Sequence, residues 1–239
     1  MSTELMTLPP AQYPALDPAN DRVKLMLQNL GGEQLSVADF TRIKVPTGGA
    51  TRWQIETAAG SEVVDTIEGV ILHTTRRRAY WQSPNPTQTP PDCASADMEA
   101  GAGSPGGPCV ACAFNQFGSA ANGHGKACKE ARLFFLLRQG QVLPDLLAAP
   151  PGSLKKLRKY LLDLSQAGAP YCGVVTRFGL EKVANQDGIA YARITARMAG
   201  KLDDASCRSV LDTIRRYEGI FQHVSVDAAD VDGGETEEV

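Results

Sequence analysis

The alternation of apolar and polar residues changes period several times along this chain, and each change predicts an element. Residues 1–20 are rich in proline and carry no period, which predicts an extended arm. Asp17-Pro18 then has the form of an N-cap with proline at the first helical position. Val23, Met26, Leu27 and Leu30 follow at helical spacing, with Gly31-Gly32 as the stop. From Asp39 the period becomes two. In Phe40 to Val45 the basic Arg42 and Lys44 alternate with Ile43 and Val45, as in a half-buried strand with its bases outward. Pro46 to Gly49 reads as a turn and Trp53 with Ile55 as a short strand.

A longer strand is predicted from Ile67 to Trp81, opening with Val70-Ile71-Leu72 and closing with Arg76-Arg77-Arg78-Ala79-Tyr80-Trp81. After a proline-rich stretch (Pro84, Pro86, Pro90, Pro91) and a glycine-rich loop, Leu133 to Leu137 reads as a strand buried on both faces, although period alone does not exclude a buried helical turn. Pro144 and Pro150-Pro151 break the chain. Ser153 is placed to cap a helix to about Ala167, with Leu154, Leu157, Leu161, Leu162 and Leu164 inward, Lys155, Lys156, Arg158 and Lys159 outward, and Gly168 as its stop. Two strands, Tyr171 to Val183 and Ile189 to Leu202, are joined by the turn Asn185-Gln186-Asp187-Gly188. The second sorts Ala190, Ala192, Ile194, Ala196 and Met198 to a core face and Tyr191, Arg193, Thr195 and Arg197 to the other. A last helix runs from about Asp203 to Phe221, with Val210, Leu211, Ile214 and Tyr217 inward.

Charge changes this picture once the chain is divided. The whole has 24 bases, 27 acids and a net charge of -3. Six of the acids (Asp227, Asp230, Asp232, Glu235, Glu237, Glu238) lie between Asp227 and Val239 with no base among them, so the rest carries 24 bases against 21 acids. Between Lys126 and Lys182 the balance is ten to four. A basic body with an acidic tail suits a protein that handles a polyanion. An ordinary solvated surface with a ragged terminus accounts for the charge equally well. Arginines beside aromatics are more specific, because they pair phosphate-binding charge with flat faces on which bases stack. An edge strand kept soluble by charge would explain Arg76, Arg77 and Arg78 but not Tyr80 and Trp81. No apolar run reaches the length of a membrane span.

Candidate metal chemistry lies in the loop. Cys93, Cys109, Cys112 and Cys128 are spaced as two fifteen-residue arms around a Cys-x2-Cys knuckle, the arrangement that gives one structural zinc ion four thiolates. Seven glycines and two prolines between them cannot build a core, so the loop needs an ion to hold it. Met1 to Leu8 has no signal-peptide pattern, so two disulfides are not expected. His124 could replace one cysteine. Pro108-Cys109-Val110-Ala111-Cys112 also fits half of a zinc deaminase motif, but that chemistry needs an upstream His-x-Glu, and His73 is followed by Thr74 and Thr75. With no phosphate-cradling loop and no nucleophile motif either, the chain reads as a non-enzyme. Cys172 and Cys207 read as small buried hydrophobes.

With the loop and the Leu133 to Leu137 run set aside, the order is strand, strand, strand, helix, strand, strand, which is that of the OB-fold, a five-stranded Greek-key barrel. In this order, its zinc-binding insertion and its acidic tail, the chain resembles the single-stranded DNA-binding, helix-destabilising proteins of bacteriophages. The zinc ligands carry over onto Cys93, Cys109, Cys112 and Cys128, four cysteines where that family's known site has three and a histidine. The expected organisation is an N-terminal arm and short helix (1–38), an OB-fold domain (39–222) with the zinc-binding insertion at 83–130, and an acidic disordered tail (223–239). The resemblance implies binding of single-stranded DNA with little sequence preference during replication or recombination, and self-association along the DNA. It also implies recruitment of replication or recombination proteins by the tail, and location in the cytoplasm, a bacterial host's if the chain is phage-encoded. The nucleic-acid-binding residues expected on this reading are Arg42, Lys44, Arg76, Arg77, Arg78, Tyr80, Trp81, Lys126, Lys129, Tyr191, Arg193 and Arg197. The alternative is a zinc-stabilised regulatory factor, a recombination accessory or transcription-associated protein, that uses the loop to bind protein and has no groove for single strands.

Overall fold

A computed structural model describes residues 4–57, 60–83, 90–121, 123–185 and 188–231. The elements in chain order are β1 (Leu5–Met6), α1 (Asp21–Leu30), β2 (Arg42–Ile43), β3 (Trp53–Thr57), β4 (Gly60–Val64), β5 (Thr66–Tyr80), β6 (Cys93–Ser95), β7 (Ala100–Gly103), β8 (Gly107–Pro108), β9 (Lys129–Leu137), β10 (Asp145–Ala149), α2 (Leu154–Gln166), β11 (Val174–Ala184), β12 (Ala190–Leu202), α3 (Asp204–Phe221) and α4 (Ala228–Val231).

The fifteen-residue β5 is the hub of a mixed, ten-stranded sheet. Its first residues pair with β11, Val70 opposite Val175, while on the other side β9 runs antiparallel to it from Val70 to Ala79. Beyond the end of β11 the last residues of β5 take up β6, which leads on to β7 and β8. β9 carries β10, and β10 carries β2 in parallel. β11 carries β12, whose outer edge is taken by the parallel arm strand β1. β3 and β4 form a separate hairpin. The architecture is therefore α+β and dominated by sheet, but it is not the closed five-stranded barrel expected. With β10 occupying β2 and β1 occupying β12, those strands do not pair with each other and the sheet stays open.

Strand β10 is the element the sequence hides. Its five buried residues lie between Pro144 and Pro150, which punctuate the ends of the strand rather than interrupting it. The apolar run of β9 is buried on both faces as expected, because each face has its own core. Leu133, Phe135 and Leu137 join Val70 and Leu72 under α3 (Val210, Tyr217, Phe221) and the arm residues Leu8, Tyr13 and Leu16. Phe134 and Leu136 join Ile71, Trp53, Ile55, Phe178 and Ile194 under Leu157 of α2. The arm thus packs on the body. Among the described residues no helix is long and apolar enough to cross a membrane.

Local chemistry shifts several boundaries. Helix α1 is capped by Asn20, whose Oδ1 accepts from Arg22 N at 3.0 Å, while Asp17 instead closes a turn by accepting from Ala19 N. Ser153 precedes α2 but does not cap it, because its Oγ accepts from the buried Ile194 N at 3.0 Å. Tyr160 takes an inward place on α2, donating or accepting with Thr176 at 2.7 Å, and Leu162 points out. Leu211 of α3 is likewise exposed. The tail expected from residue 223 is folded as far as Val231: Val224 and Val226 are buried in the first core, and Asp230 is buried against Arg42. Residues 232–239, like Pro84, Pro86, Gln186 and Asp187, lie outside the described residues.

Candidate nucleic-acid interface and metal centre

The two ends of the loop are tied to the sheet. Cys93 lies opposite Tyr80 in the β5–β6 ladder, and Cys128 immediately precedes β9. Between them, Cys109 N donates to Glu99 O at 2.7 Å and Cys128 N to Phe114 O at 2.8 Å. Asn115 Nδ2 donates to Cys109 O at 2.8 Å. These bonds bring Cys93, Cys109, Cys112 and Cys128 around one cavity of about 10 Å³, shared with Arg78, Tyr80, Phe114 and Asn115. That is room for a single water-sized sphere. Gly101 is required here, since a Cβ at that position would stand 2.7 Å from Cys93 Sγ. All four cysteines are free thiols. Burial pushes the Cys128 thiol up to about 11; Arg78 opposes that shift, and the other three cysteines add to it. As placed, the sulfurs surround the cavity without meeting: among the described residues no three His, Cys, Asp or Glu side chains are gathered closely enough to hold an ion. Four cysteine thiols are the donor set that a structural zinc ion takes. His124 is exposed and does not line the cavity.

Beside this cavity runs a row of cations on one face of the sheet. Alternation along β5 and β9 puts Arg76, Arg78, Glu130 and Arg132 on the face that also carries Phe134 and Leu136, with Arg76 opposite Arg132 and Arg78 opposite Glu130. At one end the β10 residue Ala149 pairs with Arg132, and the chain turns from there into α2, whose Leu157 packs on this face and whose Arg158 acts on the charge of Arg132. Arg132 is part-buried, and its pKa is lowered by burial first and then by Arg76, with Arg158 adding to the effect against Glu130. At the other end Lys126 reaches Asn115 Oδ1 at 3.3 Å and lies 4.8 Å from the centre of the Phe117 ring. Its pKa is lowered by burial and then by Arg78. Arg78 shares Asn115 and Glu130, and its Nε is buried without a hydrogen-bond partner. Arg158, Arg132, Arg76, Arg78 and Lys126 therefore line one face with Glu130 among them. Tyr80 ends this row, stacked on Phe114 with ring centres 4.2 Å apart.

Only Arg76, Arg78, Tyr80 and Lys126 of the twelve expected residues belong to this row. Arg77 points the other way and is buried, donating to Val224 O and Gln222 O at 3.2 Å and to Ala96 O. Trp81 packs partly against the first core, on that same opposite face. Lys129, opposite Ala79, also lies there. Arg42 is engaged by Asp227 and Asp230 and by Ser225 O. Tyr191 is buried, its ring occupying the space over Gly152, where an added Cβ would be 2.8 Å away. Arg193 pairs with Glu181, which also holds Lys156. Lys44 and Arg197 are exposed but lie apart from the row. For Arg77, Trp81 and Arg42 the cause is the two-sided sheet: both faces carry a core, so alternate residues of a basic strand do not all reach solvent. Sequence reading missed Arg132, hidden in an apolar run, and Arg158, read as one of several outward bases on a helix. No family model, curated protein or solved structure matches this chain.

Proposed function

We propose that this chain binds single-stranded DNA with little sequence preference along the row from Arg158 to Lys126, and that Cys93, Cys109, Cys112 and Cys128 hold one structural zinc ion beside it. The observation that carries the reading is the row itself. Five cations with one intervening carboxylate occur in a chain of net charge -3, and they end in the Tyr80–Phe114 stack. Like charges gathered at a part-buried strand face are unfavourable alone and are relieved by a polyanion. Bases would stack on the exposed aromatic surface at the row's end, and the zinc ion would fix Phe114 and Phe117 relative to β5. Protection of strands in replication or recombination, self-association along them and a cytoplasmic setting complete this reading.

Fluorescence anisotropy of a labelled, unstructured oligonucleotide tests it. Affinity should fall as salt rises, be much weaker for the matching duplex, and drop for Arg76→Met; equal binding of strand and duplex would overturn the reading. The zinc assignment is tested by metal analysis of the purified protein, with one zinc per chain expected and none after Cys109→Ser with Cys112→Ser. A second reading, a zinc-stabilised module that binds protein, is favoured by Val110, which stands 83% exposed between two of the cysteines, and by the exposed Phe117. On that reading Val110→Ser abolishes partner capture and leaves DNA unaffected.

A further inference from the structure

The α2 end of the row differs from a strip of separate phosphate contacts. Arg76 and Arg132 face each other directly across antiparallel strands, and Arg158 follows Leu157 of α2, which packs on that same face, near enough to Arg132 to act on its charge. Glu130 is taken by Arg76 at 2.6 Å and by Arg78 at 3.5 Å, while Arg132 and Arg158 make no ion pair among the described residues. Arg76, Arg78, Arg132 and Arg158 with the one shared carboxylate leave a local charge of roughly +3 (four positive, one negative). An internal phosphodiester carries one negative charge and would offset only a third of it. A phosphate monoester is dianionic at neutral pH and offsets two thirds, with the three planar forks of Arg76, Arg132 and Arg158 offering paired hydrogen bonds to its oxygens.

We propose that Arg76, Arg132 and Arg158 form a seat for one dianionic phosphate monoester, so that the chain holds a single strand by its phosphorylated end. This rests on the strand-binding reading, and the experiment separates the two. The full-length protein is titrated with three otherwise identical short oligonucleotides bearing a 5′-phosphate, a 3′-phosphate or hydroxyl ends only, and separately with inorganic phosphate monitored by thermal shift. One phosphorylated end should bind on the order of tenfold more tightly than the hydroxyl form. That preference should shrink below pH 6, where the monoester takes up one proton and becomes a monoanion. Arg132→Met should abolish the preference, as should Arg158→Met, a change on an exposed helix surface that leaves the fold intact. Equal binding of all three oligonucleotides with strand binding preserved overturns the seat and leaves the broader reading standing. Protection by inorganic phosphate, lost in Arg158→Met, with no oligonucleotide bound keeps the seat, makes free phosphate its occupant and overturns the strand reading. Absence of any response overturns both.

Discussion

Arg77→Met separates a structural arginine from a nucleic-acid contact, two roles the sequence makes indistinguishable in the run Arg76-Arg77-Arg78. The Arg77 guanidinium is buried and tethers Val224 O, Gln222 O and Ala96 O, which holds the segment after α3 and the start of the loop against β5. A hydrogen bond to a charged group contributes about 1.5–3 kcal/mol. Methionine retains most of the buried stem contact, and Gln222 O lies near enough to solvent to regain water, so the net loss is about 2–4 kcal/mol. For a chain of this size that lowers the midpoint of thermal unfolding by roughly 4–16 °C. Urea unfolding measures the loss, and anisotropy on the folded variant measures binding. We expect clear destabilisation with affinity for single strands unchanged, whereas Arg76→Met should show little of the first and a clear loss of the second. An Arg77→Met protein as stable as the parent, with weakened binding, would refute the placement of Arg77 beneath the C-terminal segment.

Three further outcomes follow from the same geometry. His73 stacks on Phe221 with ring centres 5.1 Å apart, and its pKa is held below the ordinary 6.5 by burial and then by Arg77, with Glu218 opposing. The stability it contributes is present above pH 6.5 and is lost as the pH falls from there through the lower folded value, so His73→Phe should flatten the decline between pH 7 and pH 5.5 in urea titrations at stepped pH. Gly101→Ala places a methyl group 2.7 Å from the present position of Cys93 Sγ. Chelator competition should show weaker zinc retention, with an overpacking cost of about 1–3 kcal/mol confined to the loop and the urea midpoint of the body little changed. Trp81→Phe should leave single-strand affinity unaltered, because Trp81 packs on the face opposite the row; a loss of affinity would require the strand to cross to that face.

Much of the element order was legible in the sequence because each signal was local. Apolar stretches located β5 and β11, period-two alternation located β12, helical spacing located α2 and α3, and Gly31 stops α1 in the left-handed conformation the pattern anticipates. The cysteine spacing likewise anticipated that four thiols face one cavity. Where local signals conflicted, tertiary contacts decided. Ser153 gave its oxygen to a buried strand amide rather than to the helix it precedes, because an unpaired N–H inside the fold costs more than a bare helix end near water.

What the sequence by itself determined is thus an inventory: the main strands and helices though not β10, where the cysteines sit, and that the body is basic and the C-terminus acidic. Which charges face solvent, which are spent within the fold and which gather into a site was decided only by tertiary structure. A strand's alternation specifies two faces but not what covers each, and here both are covered. Arg77 lies beneath residues 222–226, Arg42 beneath Asp227 and Asp230, and Tyr191 over Gly152. Arg132 faces Arg76 because β9 pairs with β5, and Arg158, 26 residues beyond Arg132, comes near it because α2 packs Leu157 on that same face. Register and crossover are long-range properties, set by the burial of two apolar faces at once, and no window of sequence contains them.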